Sequence, residues 1–325
     1  MKRFWKEILC AGVLGLLLPA MLAAPRRSDG AAAGKTALPE ATSEPTASTA
    51  QTEPKEQTVM VLTEEGVAEM PLEEYLVGVV LAEMPADFEM EAKKAQAVVA
   101  RTYSLRSRDG KSKHETAAVC TNPACCQGFF PSQDYLSQGG SQEAVDAAAQ
   151  AVGETAGLVL TYDGSLIEAT YFSCSGGRTE DAVAVWGTDV PYLQSTDSPG
   201  EEGAAHFTDT VTFSAGEFAQ AIGRELSGLP GTWLGEITYT DGGGVDSIEI
   251  GGESYTGKQL RNLLGLRSTA FMITPVGDSV VITTRGFGHR VGMSQYGADA
   301  MAAQGSGFEE ILAHYYQGTE LTAYH

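Results

Sequence analysis

The amino-acid sequence predicts an α+β fold, made of a helical core with β-hairpins and an accessory α+β lobe. Apolar residues recur at helical spacing over 72–80 and over 92–103, which predicts two core helices. Short runs of strand-forming residues bounded by glycine turns, such as 59–62 before Gly66, predict the hairpins. The 325 residues suffice for two domains or for one large domain with appendages.

The N-terminal segment has the pattern of an export signal or of a single membrane anchor. Lys2, Arg3 and Lys6 precede an apolar run over 8–24, which is about as long as the shortest membrane-spanning segments, roughly 17 residues. The basic residues favour a cytoplasmic N-terminus, so we expect the folded region outside the cytoplasm, at the cell membrane if the segment is retained. The predicted parts are a signal or anchor (1–27), a flexible tether rich in Ala, Thr, Ser, Glu and Pro (28–57) and a folded region (58–325).

Two helices follow the first predicted strand. We expect the first from Pro71, a residue favoured at the first helical position, to Glu83, where Pro85 stops it. The second is expected from Glu89 to about Arg106.

Glu83 is a candidate general acid because the C-terminus of a helix disfavours negative charge. If the carboxyl is also partly buried, its pKa rises toward the range that a general acid needs near neutral pH. A solvated carboxylate is the alternative. Lys94 and Arg101 share one face of the second helix, where they either bind polar groups of a substrate or form a solvated basic surface.

A cluster of thiols and an imidazole indicates a metal site. His114, Cys120, Cys125 and Cys126 fall in one short segment, and zinc favours such ligands, with three of them sufficing beside water or another side chain. Cys125 and Cys126 are neighbours and seldom reach disulfide geometry. The alternatives are a disulfide between Cys120 and Cys174, or simply buried thiols, in an exported protein.

A predicted hairpin leads into a loop rich in hydroxyls and glycine. Strand-like residues over 158–162 and 166–172 flank an Asp163-Gly164 turn. The loop that follows, with Ser173 and Ser175, is suited to gripping a sugar, although a simple turn is the alternative. The absence of a Gly-x-Ser-x-Gly pattern from this loop argues against a serine hydrolase.

The accessory lobe is predicted at about 206–284. Ser214 is expected to cap a helix that continues through Leu226, two strands flank the glycines at 242–244, and Thr256 begins a helix through Leu264. The glycines lack the Lys and the Ser or Thr of a phosphate-binding loop.

A glycine-rich string, GFGHRVGMSQYGA over 286–298, follows the lobe. Its glycines permit tight turns and close approach to a ligand. His289, Gln295 and Tyr296 would then line a polysaccharide groove, while a purely structural string is the alternative.

The strings EEYLVGVV (73–80), AEMP (82–85) and AKKAQAVVARTY (92–103) resemble the opening of the stage II sporulation protein D family. The 286–298 string and ILAHYY (311–316) extend the resemblance over about 59–316, with the accessory lobe matched least well. The family comprises lytic transglycosylases of bacterial cell-wall glycan and relatives that modify amidases. The resemblance therefore implies a catalytic core in the folded region.

The resemblance also assigns roles to residues. It implies Glu83 as the catalytic acid, Lys94 and Arg101 as groups that orient the substrate or Glu83, Tyr171 and Ser175 as positions tied to activity, and His114, Cys120 and Cys126 as a zinc site. An ordinary glycosidase normally uses a second carboxylate, for which Asp87 and Glu91 are candidates.

The implied reaction is non-hydrolytic cleavage between N-acetylmuramic acid and N-acetylglucosamine, giving 1,6-anhydro ends on glycan strands stripped of peptides during sporulation engulfment. The implied partner is the stage II sporulation protein P, an amidase and endopeptidase. The alternatives are a non-enzymatic activator of a wall amidase and a glycan-binding scaffold. A net charge of −21 argues against a nucleic-acid partner, and we expect the groove to be less acidic than the whole chain.

Overall fold

The computed structural model describes residues 57–324, and the predicted signal or anchor and nearly all of the tether lie outside them. The described helices are α1 (Leu72–Glu83), α2 (Met90–Arg106), α3 (Ser132–Ser137), α4 (Gln142–Glu154), α5 (Ala182–Trp186), α6 (Ala215–Ala221), α7 (Gly257–Leu264), α8 (Gln295–Ala303) and α9 (Phe308–Tyr315). None of them is long and apolar enough to cross a membrane.

The described strands are short and form several small sheets. They are β1 (Thr58–Thr63), β2 (Gly66–Pro71), β3 (Val119–Cys120), β4 (Leu158–Tyr162), β5 (Ser165–Leu166), β6 (Tyr171–Phe172), β7 (Thr208–Ser214), β8 (Leu234–Tyr239), β9 (Val245–Ile250), β10 (Glu253–Thr256), β11 (Phe271–Val276), β12 (Ser279–Arg285), β13 (Met293–Ser294) and β14 (Glu320–Ala323). Helices and sheets together confirm the predicted α+β class.

Helix α2 is the centre of the larger hydrophobic core. It packs against α1, α4, α8, α9 and β4. Its alanines at 92, 95, 97 and 100 are fully buried, and their small side chains let the neighbouring helices approach closely on several sides. The predicted bounds of α1 and α2 agree with the structure to within a residue or so.

Two hairpins confirm the predicted turns. Strands β1 and β2 pair antiparallel across a turn at Glu64 and Glu65, directly before Gly66, and β3 adds to β1 in parallel, which brings Cys120 into the sheet. Strands β4 and β5 pair around Asp163 (φ 48°) and Gly164 (φ 72°). Two successive positive φ values are those of the tight turn that Asp-Gly favours.

The predicted lobe contains a second hydrophobic core, which includes Phe218, Ile248, Leu260 and Ile282. It lies among the sheets β8-β9-β10 and β7-β12-β11 and the helices α6 and α7. Ser214 and Thr256 cap α6 and α7 with capping boxes, as their sequence predicts. The prediction that α6 continues to Leu226 was wrong, since α6 ends at Ala221 and Gly223 then adopts a positive φ of 71°.

A buried ion pair attaches this lobe to the larger core. Arg290 donates to Glu180 at 3.0 Å and to the Gly242 carbonyl at 2.7 Å, and the Gly244 amide donates to Glu180 at 2.8 Å. A Cβ atom at Gly244 would lie 2.3 Å from the Glu180 carboxylate. The glycines therefore serve this close approach.

Candidate active site

The Glu83 carboxyl lies at the end of α1 and meets three neutral donors. The Gly128 amide donates to Oε1 at 2.5 Å, the Gln295 Nε2 lies 3.4 Å from Oε2, and the neutral Tyr171 hydroxyl lies close enough to lower the pKa of the carboxyl. Burial raises the pKa of Glu83, and these donors offset part of that effect. The carboxyl is thus suited to carry a proton near neutral pH.

Tyr171 is held beside Glu83 by a buried glutamine. Its hydroxyl lies 3.5 Å from Gln127 Oε1, while Gln127 Nε2 donates to Tyr75 at 3.3 Å and to Ser104 at 3.0 Å. Burial, and then the nearby Glu83, raise the pKa of Tyr171 well above its ordinary value. The phenol therefore stays neutral and can donate a hydrogen bond.

The glycine-rich string reaches Glu83 through a parallel pairing of β13 with β6, which sets Met293 opposite Tyr171. Ser294 caps α8 and places Gln295 in its first turn. The Gln295 amide lies 3.4 Å from both Glu83 Oε2 and Gln96 Oε1. Gln96 is fully buried and its Nε2 has no partner among the described residues.

The predicted metal cluster comes together and includes one more thiol than expected. The ligand atoms of His114, Cys120, Cys125 and Cys126 all lie within 4.8 Å of one another. His114 Nε2 lies 3.4 Å from the Cys126 sulfur and 3.7 Å from the Cys125 sulfur, and the two sulfurs are 3.9 Å apart. Bond lengths of about 2.3 Å for Zn–S and about 2.0 Å for Zn–N give tetrahedral edges of about 3.5–3.8 Å.

The separations among His114, Cys125 and Cys126 therefore match a tetrahedral zinc site, and the chemistry of all four donors suits zinc, while separations within the whole cluster extend to 4.8 Å. Burial opposes ionisation of the Cys126 thiol, but hydrogen bonds from the Cys120 backbone and from His114 lower its pKa to about 7. The thiolate is the form that binds a metal. Among the described residues all cysteines are free thiols, so the alternative disulfide between Cys120 and Cys174 is not formed.

The cysteine cluster and Glu83 are joined by three consecutive residues. Cys126 belongs to the cluster, Gln127 orients Tyr171, and Gly128 donates to Glu83. Gly78 on α1 makes room for Phe129, whose ring stacks on Tyr75 at 5.3 Å. The sequence analysis missed Gln127 and Gly128, although their position directly after the cysteine pair was the available signal.

The structure does not bring Arg101 to Glu83. Its fully buried guanidinium binds the Glu73 carboxylate and the carbonyls of Val152 and Leu158. Helix α4 and strand β4 pack against α2 and cover the face that carries Arg101, for which the sequence analysis had kept both a substrate contact and a solvated surface as alternatives. The contacts of Arg101 are therefore structural, and they support neither a solvated basic surface nor an orienting role.

The structure does not bring Lys94 to Glu83 either. Its ammonium binds the carboxylates of Glu91 at 2.7 Å and Glu154 at 2.6 Å. These pairs raise the pKa of Lys94 and keep it charged. Its contacts link α2 to α4, and none of them reaches the Glu83 carboxyl.

The serine loop is built around a buried carboxylate. Ser175 is fully buried, and its hydroxyl donates to Glu201 at 2.7 Å. The Ser173 carbonyl accepts from the Tyr296 amide at 3.0 Å. Ser175 is therefore not placed to touch a substrate, because its side chain is buried and its hydroxyl already donates to Glu201.

The Tyr296 ring packs edge-on against the Phe88 ring, with the ring centroids 4.9 Å apart. Tyr296 follows Gln295 in α8, and no hydrogen bond joins it to Glu83 within residues 57–324.

His289 does lie beside the site. Its ring is 5.6 Å from both Phe172 and Trp186, and its Nδ1 accepts from the Val291 amide at 3.1 Å. Burial, and then the charge of Arg261, lower the pKa of His289 to about 4, so the ring is neutral at physiological pH.

Comparison with known proteins identifies the family. A family model described as "Stage II sporulation protein" matches residues 63–162, which include Glu83 and the cysteine cluster. The chain is 38% identical over 326 residues to "Stage II sporulation protein D" of Bacillus subtilis (strain 168), covering 97% of this chain and 94% of that protein. The chain belongs to the stage II sporulation protein D family. The predicted resemblance is thereby confirmed.

Two further relatives agree with this assignment. The "Stage II sporulation protein D" of Bacillus amyloliquefaciens is 38% identical over 321 residues, covering 95% of this chain and 93% of that protein. The "Amidase enhancer" of Bacillus subtilis is 30% identical over 312 residues, covering 77% of this chain and 40% of that protein. Family membership thus links the chain to sporulation, with a relative that acts on amidases.

Proposed function

We propose that the protein is a lytic transglycosylase that cleaves the bond between N-acetylmuramic acid and N-acetylglucosamine in denuded peptidoglycan strands. The observation that carries the proposal is the partly buried Glu83 carboxyl, whose pKa is raised by burial and whose partners are neutral donors. Such a group can donate a proton near neutral pH and accept one in the next step.

In the first step, Glu83 protonates the glycosidic oxygen as the bond to the muramyl anomeric carbon breaks. The Gly128 amide and Gln295 then stabilise the carboxylate that forms. In the second step, the same carboxylate accepts the proton of the muramyl 6-hydroxyl while that oxygen attacks the anomeric carbon. The 1,6-anhydro end forms, and Glu83 is protonated again.

The surroundings of Glu83 favour this route over hydrolysis with two carboxylates. Glu91, one candidate for a second carboxylate, binds Lys94 and the Phe308 amide. Asp87, the other, is exposed, and no hydrogen bond joins it to Glu83 among the described residues. In the proposed reaction the attacking group is the muramyl 6-hydroxyl of the substrate itself. No water has to be activated, so no second carboxylate is needed.

The zinc site is part of the proposal. His114, Cys120, Cys125 and Cys126 would hold the ion, and zinc with four protein ligands supplies folding stability. A bound ion would affect the reaction indirectly. It would hold the cluster together and so fix the adjoining residues Gln127 and Gly128, which position Tyr171 and donate to Glu83.

The test is incubation of the purified protein and of Glu83→Gln with denuded glycan. Mass spectrometry distinguishes an anhydro end from a hydrolysed end, because the anhydro end lacks one water. We expect anhydro ends from the unmodified protein and at least about a hundredfold fewer from Glu83→Gln, the scale of a lost general acid. Equal rates from both proteins would refute the proposal.

A second candidate function, activation of a cell-wall amidase, is favoured by the amidase enhancer relative. Stimulation of an added amidase without anhydro products would support it, whereas glycan retention alone would support a scaffold. The proposed partner is the stage II sporulation protein P, and the proposed location is the outer face of the cell membrane, held by the N-terminal segment.

A further inference from the structure

An exposed tryptophan ends a row of side chains that begins at Glu83. Tyr171 lies beside Glu83, the His289 ring lies 5.6 Å from the ring of Phe172, the residue after Tyr171, and the Trp186 ring lies 5.6 Å from His289. Trp186 is 39% exposed, which is unusual for so large an aromatic ring in a folded protein. An exposed aromatic face at the end of a row that leads from the proposed catalytic carboxyl is suited to stack on a sugar ring of a bound glycan.

Two basic residues of the accessory lobe, Lys258 and Arg261 on α7, lie on the side of the lobe nearest to α5, the helix that ends at Trp186. The Lys258 ammonium lies 3.5 Å from the Val185 carbonyl, next to Trp186, so this side chain of α7 reaches α5. Arg261 is three residues after Lys258 and so shares that face of α7. The proximity of its charge to His289 agrees with this placement.

Arg261 has no carboxylate partner among residues 57–324. The one hydrogen bond of its guanidinium within that part of the chain runs from Nε to the Leu266 carbonyl at 3.4 Å, which leaves the terminal nitrogens for a ligand. The side chain is only partly exposed, and desolvation lowers its pKa. A partly buried cation without a partner is unfavourable, and it is notable in a chain with 42 acidic against 21 basic residues.

We propose that Trp186 stacks on the glycan and that Arg261 binds the free lactyl carboxylate of a muramyl unit; this inference rests on the proposed function. A guanidinium suits a carboxylate because its paired N–H groups match the two oxygens. In a strand that carries stem peptides the lactyl carboxyl is an amide and has no charge. Arg261 therefore selects denuded strands, and the accessory lobe supplies the specificity of the site.

The experiment measures binding by isothermal titration calorimetry in a Glu83→Gln background, so that no ligand is consumed. The three ligands are denuded glycan, the same glycan with its lactyl carboxyls converted to methylamides, and a chitin oligosaccharide without lactyl groups. Arg261→Gln is expected to weaken binding of denuded glycan about tenfold and to leave the other two ligands unchanged. Trp186→Ala is expected to weaken all three.

Two controls keep the outcome decisive. Arg224→Gln removes the same charge from the lobe, but Arg224 is already paired with Glu253, so binding should not change. Arg261→Lys keeps the charge and loses the paired geometry, so it should retain part of the preference. Equal effects of Arg261→Gln on all three ligands, or no effect on any, would overturn the inference.

Failure of the proposed function gives a different result. If the unmodified protein makes no anhydro ends but Arg261 still distinguishes the free carboxylate from its amide, the enzyme proposal is wrong and the ligand assignment holds. If anhydro ends form at the same rate from amidated and denuded strands, the enzyme proposal holds and the role of Arg261 is wrong.

Discussion

Replacement of Arg101 by methionine tests whether this guanidinium acts on the substrate or stabilises the fold. Methionine keeps the apolar stem but removes the pair with Glu73, whose carboxylate is about half exposed and can be hydrated again. It also takes a donor from the carbonyls of Val152 and Leu158. Loss of buried donors costs about 1–3 kcal/mol for each acceptor, so we expect about 4 kcal/mol in total.

Thermal unfolding measures this loss. For a domain of this size about 4 kcal/mol corresponds to a fall of roughly 10 °C in Tm. Lys94→Met is the matched control on the same helix, and its more exposed ion pairs with Glu91 and Glu154 should contribute about 1 kcal/mol at most. Below the lowered Tm, Arg101→Met should still form product. A variant with an unchanged Tm and no product would show that Arg101 acts in the reaction.

Three further predictions follow from the site. Cys125→Ser should lower both bound zinc, measured by elemental analysis, and Tm, whereas Cys174→Ser should keep its zinc. Burial raises the pKa of Glu83 in the folded state, so the contribution of this carboxyl to stability is complete at low pH and is lost as pH rises through that pKa. Because a glutamine carries no charge at either pH, Glu83→Gln should raise Tm at pH 8 but not at pH 4. Gly128→Ala would place a Cβ 2.9 Å from Glu83 Oε1 and should slow product formation roughly tenfold to a hundredfold, unlike Gly153→Ala, which meets no atom within 4 Å.

Local patterns predicted most of the elements, because their causes lie within a few residues of sequence, but the predicted strand over 166–172 was wrong, since β5 ends at Leu166 and β6 (Tyr171–Phe172) joins a different sheet. Helix α1 begins after Pro71 and ends at Glu83, and the Asp163-Gly164 turn has the expected geometry, since backbone preference decides both. The cysteine cluster was also predictable, because its ligands lie in one short segment. The close approach of Cys125 to His114 was not, since it depends on how that segment folds.

Partners that are distant in sequence could not be predicted. Arg101 meets Leu158 and Ser175 meets Glu201 only after the chain has folded, and both pairings turned predicted substrate contacts into structural ones. A polar residue in a helical or loop pattern has the same sequence appearance whether it faces a groove or a buried carboxylate. Only the burial of its surroundings distinguishes the two.

The surroundings of a side chain also distinguish two glutamates of this fold, Glu83 and Glu201. Seven hydrogen bonds, three from consecutive backbone amides and the rest from hydroxyls and a thiol, end on the buried Glu201, so its oxygens are occupied by the protein itself. Glu83 accepts a single short hydrogen bond, from the Gly128 amide, and a longer one from Gln295 at 3.4 Å. A partly buried carboxyl with so few hydrogen bonds changes its protonation state at little structural cost, because few donors must be rearranged. Acid catalysis is therefore expected at Glu83 and structural support at Glu201, although both are glutamates with low solvent exposure.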